Sequence, residues 1–288
     1  LVTLDGSELA EGVLPHLQDL APRFNSEVHV FGVCIGPERG LARLFKIYLE
    51  KIASNFQEQK IKAKAVLSHG SPPDEILEYA EKNKIELIAM TTSGRGGITR
   101  WLLGSTAEKV IQETTSPVLL VRSKHPREAE SLEEVSFSRI LVPLDGSEIG
   151  EAALPCVEAL AASIKSSVSL LHINPPLYKA VGELQYPGPY SEKVTEGLRA
   201  AGKAYLDGVR KRLKRKGVEV NCEVVTGDPA EKILEYAREK SLNLIAMSSH
   251  GRGGIARWVL GSVADKVIRG DEVPVLIVRS PGVTCDKP

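Results

Sequence analysis

Short apolar runs alternate with amphipathic stretches along the whole chain. In the C-terminal half, RILVPLD at 139–145 is an apolar run too short for a helix and predicts a strand. SEIGEAALPCVEALAASI at 147–164 has helical spacing and predicts one helix. SVSLLHI (167–173) follows as a strand. A long amphipathic helix is expected over 191–216, ending in a basic turn and Gly217. VEVNCEVVTG (218–227) alternates as a strand. DPAEKILEYAREKS (228–241) reads as a helix, with Asp228 suited to its N-cap and Pro229 to its first turn. A strand (LNLIAMS, 242–248), a helix (SVADKVIRG, 262–270) and a last strand (VPVLIVRS, 273–280) complete the half. Strands alternating with helices predict a parallel sheet covered on both faces.

The same order is written earlier in the chain. Residues 1–8 (LVTLDGSE) match 141–148 (LVPLDGSE) at an offset of 140. GSPPDEILEYA from Gly70 matches GDPAEKILEYA from Gly227 at an offset of 157. Residues 93–123 align with 250–280 without a gap and agree at 20 of 31 positions, far too long a period for a solenoid. The expectation is a duplicated domain: 1–123, a polar and acidic linker over 124–136, a second copy over 137–281, and a tail over 282–288. The extra length of the second copy falls between Ile173 and Gly227, in a stretch rich in Pro, Gly and Tyr. Comparison of the two copies also predicts that the numbered chain begins inside its first strand.

Composition narrows the chemistry. Lys+Arg and Asp+Glu each total 37, so nothing points to nucleic acid or an anionic membrane as partner. Aromatics, at 5%, are too sparse for a base-stacking platform. Cys34, Cys156, Cys222 and Cys285 form no CxxC and no metal-ligand spacing with His, which suits thiols in a reducing compartment. No apolar run approaches a membrane span, and a cytoplasmic location is expected.

In parallel α/β sheets, ligands gather at the carboxyl ends of strands near the reversal of strand order. That rule selects the loops after Asp5 and Asp145, after Val33 and Ile173, and after Met90 and Met247. The third loop is glycine-rich: TTSGRGGITRWLLGS (91–105) and SSHGRGGIARWVLGS (248–262). Ser105 with Glu108, and Ser262 with Asp265, read as capping boxes opening a helix, whose unpaired N–H groups make an anion site. Gly251 and Gly261 would let backbone approach an anion, and Arg95, Arg100, Arg252 and Arg257 could add charge. The same features suit a plain strand-to-helix turn. No P-loop lysine is present, and GRGGIA follows the fourth strand, where a dinucleotide fingerprint does not belong. A carboxylate at Asp5 or Asp145 could accept hydrogen bonds from a ribose or an adenine amine, or the Asp-Gly-Ser turn could simply cap the next helix. Ile173 and Met247 could pack a base or only the core. His250 is Ser93 in the first copy, so no imidazole is common to both sites.

Together, VTLDGS and VPLDGS, GSPPDEIL and GDPAEKIL, LIAMTTSGRGG and LIAMSSHGRGG, WLLGS and WVLGS, and SPVLLVRS and VPVLIVRS resemble the universal stress protein family over nearly the whole chain, as two tandem domains. The resemblance implies two five-stranded parallel sheets with helices on both faces, Rossmann-like and similar to adenine nucleotide alpha hydrolases. The family's ATP-binding branch carries G-x-x-G, nine residues, then G-[ST]. Gly94 and Gly251, with Gly104-Ser105 and Gly261-Ser262, fit the latter part, whereas Thr91 and Ser248 replace the first glycine.

On that resemblance, Thr3, Leu4, Asp5, Val33, Met90, Thr91, Gly94, Arg95, Gly104, Ser105 and Thr106 would line one adenine-nucleotide site. Pro143, Leu144, Asp145, Ile173, Met247, Ser248, His250, Gly251, Arg252, Gly261, Ser262 and Val263 would line the other. ATP, ADP or AMP would bring Mg²⁺ through its phosphates, near Ser105 and Ser262, with no metal held by protein alone. The last strands, 116–123 and 273–280, would pair the domains as an internal pseudo-dimer, and the same edges could join two chains. The expected function is nucleotide-dependent regulatory binding in the stress response. A nucleotide-independent interaction protein and a slow ATPase are the alternatives; no shared general base or paired carboxylates mark an enzyme.

Overall fold

The computed structural model describes residues 1–36, 39–92, 103–122, 135–176, 189–251, 260–270 and 273–279. The expected linker is therefore almost entirely outside the described residues, as is the tail. Two compact units emerge. One comprises Leu1–Ser136 with Pro274–Arg279, the other Phe137–Val273 with the C-terminal residues.

The first unit runs β1 (Val2–Leu4), α1 (Glu8–Glu11), α2 (Leu14–Arg23), β2 (Val28–Cys34), α3 (Arg39–Glu58), β3 (Ala63–His69), α4 (Pro72–Lys82), β4 (Ile88–Thr91), α5 (Ser105–Glu113) and β5 (Val118–Val121). Its strands lie in the order β3-β2-β1-β4-β5, all parallel, so the strand order reverses at β1. β4 and β5 are buried at every position, as strands covered on both faces must be, whereas β3 is mostly half-exposed. Beyond β5 the sheet gains one antiparallel strand from far along the chain, Val275–Val278, with Leu276 opposite Leu119.

The second unit repeats the order: β6 (Arg139–Pro143), α6 (Leu154–Ile164), β7 (Ser167–Asn174), α7 (Pro189–Arg215), β8 (Glu219–Thr226), α8 (Pro229–Glu239), β9 (Leu244–Ser248) and α9 (Ser262–Gly270); the strand that follows in the chain, β10 (Val275–Val278), is the one just placed in the first unit beside β5. Within this unit the parallel order is β9-β6-β7-β8. α7 ends as its sequence predicts, with Gly217 at φ +80° and its N–H donating to the Lys214 carbonyl at 3.0 Å. Asp228 caps α8, accepting from the N–H groups of Ala230 and Glu231.

The helix expected after the first strand of each copy is broken in two. In unit one α1 and α2 are separate, and in unit two a 3₁₀ turn at Gly150–Ala153 precedes α6. Pro15 and Pro155 explain the break, since each sits in the first turn of the second piece, where its missing N–H costs nothing. Cys34, Cys156 and Cys222 are free thiols. Among the described residues no helix is long and apolar enough to cross a membrane.

Candidate functional site

In the second unit the site is built around the carboxylate of Asp145, the residue after Leu144 at the end of β6. Its Oδ1 accepts from the Ser147 N–H at 2.9 Å and from the Ser147 hydroxyl at 2.6 Å. The Ser147 oxygen in turn accepts from Gly150 N–H at 3.0 Å. Of the two readings that the sequence leaves open for the Asp-Gly-Ser turn, the contacts show the capping one. Serine caps the following turn, and that capping serine holds the aspartate.

The carboxylate also lies between two glycines. A Cβ added at Gly150 would collide with Asp145 Oδ1, and one added at Gly251 would lie 2.8 Å from Oδ2. Gly251 belongs to the loop after β9, so the aspartate after the first strand and the glycine after the fourth meet. This is the juxtaposition that strand order reversal at β6 requires.

The loop's return is equally tight. Gly261 N–H donates to the Ser249 carbonyl at 2.9 Å, and a Cβ on Gly261 would come within 3.0 Å of that oxygen. Ser248, where the resemblance expects glycine, is buried, and its hydroxyl oxygen accepts from the His250 N–H at 3.3 Å. Its hydroxyl serves the turn. His250 Nδ1 stands 2.9 Å from the Ser249 hydroxyl.

Unit one repeats the core of this arrangement. Asp5 Oδ1 accepts from the Ser7 N–H at 2.9 Å and the Ser7 hydroxyl at 2.6 Å, and Ser7 caps α1 through the Ala10 N–H at 3.3 Å. Gly104 N–H donates to the Thr92 carbonyl at 2.8 Å, the counterpart of the Gly261 bond.

The capping boxes are a correction. Gly104, not Ser105, is the N-cap of α5; its extended backbone (φ −64°, ψ 147°) makes no side-chain cap. The Glu108 N–H donates to the Gly104 carbonyl at 2.9 Å, and the Asp265 N–H to the Gly261 carbonyl at 2.9 Å. At Gly261 glycine fits the cap because the chain passes close to the loop carbonyl there, an added Cβ coming 3.0 Å from the Ser249 oxygen. At Gly104 the Thr92 oxygen would stand at an ordinary 3.4 Å. Ser105 and Ser262 become the first helical residues, both exposed, with hydroxyls beside the unpaired N–H groups of the helix start.

The remaining predicted residues divide by burial. Leu4, Leu144, Met90, Thr91 and Met247 are buried, so the methionines belong to the core. Thr3, Val33, Thr106, Pro143, Ile173 and Val263 are half-buried at strand or helix ends. Gly94, Arg95, Arg100, Arg252 and Arg257 lie outside the described residues. Among the described residues no three His, Cys, Asp or Glu side chains gather as a metal site.

Two roles escaped the sequence reading. Ser147, read there only as a candidate cap, also orients Asp145, as Ser7 does Asp5; the signal is the two-residue spacing of an Asx turn. His172 is buried on β7 with Nδ1 at 2.8 Å from the Leu144 carbonyl, one residue before Asp145. Its signal is a difference between the copies, since Gly32 stands at the matching position.

A parallel α/β sheet with a carboxylate and a glycine-rich loop at the strand-order reversal defines a protein of the doubly wound class, with its candidate site at the carboxyl ends of its strands. The sequence profile of the Universal stress protein family matches residues 1–122 and again 136–279. The chain belongs to that family, in tandem form. It is 31% identical to the universal stress protein YxiE of Bacillus subtilis over 147 residues, 50% of this chain and 99% of that one. Against a universal stress protein of Mycobacterium bovis it is 27% identical over 222 residues, 77% of this chain and 70% of the other. The crystal structure of a universal stress protein from Archaeoglobus fulgidus shares the fold, with a TM-score of 0.71 at 23% identity, covering 96% of this chain and 94% of that one.

Proposed function

We propose that the chain is an adenine-nucleotide-binding stress protein in which ATP, held with Mg²⁺ at the strand ends of each unit, biases the binding of partners rather than undergoing rapid turnover. The observation that carries this reading is the meeting of Asp145 with Gly251. It puts a serine-held carboxylate, suited to ribose or adenine, against a loop leading into a helix start that favours phosphate. The close packing at Gly251 and Gly261, which brings the two ends of the loop against Asp145 and the Ser249 carbonyl, and the exposed hydroxyl of Ser262 support the same assignment. Ser105 and Ser262 are the side chains that would lie nearest a phosphate-bound Mg²⁺.

The antiparallel pairing of β5 with β10 supports an internal pseudo-dimer through 116–123 and 273–280, with pairing of two chains as the alternative assembly. It also removes an apolar strand edge that would otherwise invite aggregation. A cytoplasmic location agrees with the free thiols.

The test is nucleotide retained through purification and counted per chain by mass spectrometry, followed by calorimetric titration with ATP and AMP. Two sites, each lost on Asp5→Ala or Asp145→Ala, are expected. No binding at millimolar nucleotide overturns the reading in favour of a nucleotide-independent interaction protein. Turnover abolished by Asp145→Ala with binding intact would make the protein an ATPase.

A further inference from the structure

The two units pack their second strand against the long helix in opposite ways. In unit one β2 presents Gly32, and a Cβ added there would lie 2.7 Å from the ring of Phe45 on α3. In unit two the large and small residues change places. His172 occupies the strand position and Gly202 the helix position, where an added Cβ would lie 2.7 Å from His172 Cδ2. The correspondence is anchored by a bond that both units share: Tyr48 donates to Glu11 at 2.9 Å, and Tyr205 to Glu151 at 2.8 Å.

Volume alone does not account for the exchange, because an imidazole brings a donor. The Leu144 carbonyl can only accept, so the 2.8 Å contact assigns the ring hydrogen to Nδ1. The Tyr205 ring stands edge-on to the imidazole at 5.9 Å and helps fix its plane.

The backbone gives that donor a reason. In unit one the β1–β2 register runs to Leu4 opposite Gly32. In unit two it ends one pair earlier, at Pro143 opposite Leu171. Pro143 replaces Thr3 and has no N–H to give a neighbouring strand. The Leu144 N–H still donates to the Leu171 carbonyl at 2.9 Å, so the difference at the end of β6 falls on the Leu144 carbonyl, one residue before the aspartate, and His172 is the group that meets it.

We infer that His172 is a positioning residue for the ligand site of the second unit: its Nδ1–H holds the Leu144 carbonyl and so sets the direction in which Asp145 leaves β6 toward Gly251, and the space over Gly202 exists to admit the ring. Unit one has no such side chain, since Gly32 carries none, so the two sites differ in how firmly their aspartate is placed. As a statement about ligand binding this rests on the nucleotide reading above.

The test uses the full chain in an Asp5→Ala background, which leaves the second site as the reporter. The double swap His172→Gly with Gly202→Phe transplants the unit-one pair, restoring packing without the donor. His172→Asn keeps an N–H in place of Nδ1. Two readouts are taken: ATP affinity by calorimetry, and amide hydrogen exchange over 145–150 without nucleotide.

The swap is expected to weaken ATP binding about tenfold, the size of one buried hydrogen bond. It should speed exchange over 145–150 to a similar degree, while His172→Asn stays within about threefold of the parent on both. Should the swap fail to fold, His172→Phe, a ring without the donor, carries the same expectation. Parent-like affinity and exchange in either donor-less variant overturn the inference and leave His172 as packing. No ATP binding by the parent background overturns the nucleotide reading instead, and exchange then judges His172 alone.

Discussion

Gly251→Ala is the sharpest perturbation of the site, because one methyl group is aimed at one oxygen. The added Cβ would lie 2.8 Å from Asp145 Oδ2, where ordinary contact begins at 3.4 Å, so something must yield by about 0.6 Å. The carboxylate cannot swing freely, since its other oxygen is held by Ser147 at 2.9 and 2.6 Å and Gly150 closes that side. A shift of that size would stretch both bonds toward the limit of hydrogen-bond geometry. Overpacking of this kind costs ~1–3 kcal/mol. That corresponds to a fall of roughly 3–10 °C in the melting temperature of the unit. The assay is thermal unfolding of four proteins: parent, Gly251→Ala, Asp145→Ala and the double variant. Removing the carboxylate removes the obstacle, so the methyl should be nearly neutral in the Asp145→Ala background. A coupling of ~1–3 kcal/mol between the two changes is expected. Additive effects would refute the reasoning, for they would mean that the loop and the aspartate do not touch.

Other expectations follow from the same geometry. Gly104→Ala should be nearly neutral, because its Cβ would sit an ordinary 3.4 Å from the Thr92 carbonyl, whereas Gly261→Ala, at 3.0 Å from the Ser249 carbonyl, should cost ~1 kcal/mol in chemical denaturation. Gly208→Ala, inside α7 with open space around it, should stabilise by ~0.5–1 kcal/mol in the same assay. Burial, reinforced by Glu223, pushes the Tyr236 hydroxyl up to about 12 from its ordinary 10.0. A raised value favours the protonated phenol in the folded state, so this contribution is whole below pH 10 and lost as pH rises toward 12. Denaturation midpoints across that window should fall less steeply in Tyr236→Phe.

How far the sequence carries depends on how local each signal is. Strands such as β4, β5 and β9, buried at every position and apolar but for a closing Thr91 or Ser248, declare themselves, because both faces must be covered. Pro15 and Pro155 could have announced the helix breaks, but the apolar periodicity of 147–164 runs through the break and masks it. Ser105 looked like a cap because its spacing to Glu108 copies a capping box. The true cap is Gly104, whose N–H donates to the Thr92 carbonyl, a contact across the loop that spacing does not encode. Asp145 stands out in the sequence as a candidate by its place after the first strand; its bed between Gly150 and Gly251 does not, since that depends on β6 and β9 lying side by side. The exchange of Gly32 and Phe45 for His172 and Gly202 is invisible in either copy alone.

The strand that flanks β5 is written some 150 residues after it, Leu120 facing Val275. During synthesis from the N-terminus, the first unit can collapse around its own core long before that strand leaves the ribosome. It then waits with the row of β5 backbone groups unpaired, an apolar edge open to any passing strand. The second copy has to be made almost in full before the first is sealed. Duplication here has turned what could be two independent folding events into one with a fixed order, in which the hazard falls on the half that is born first.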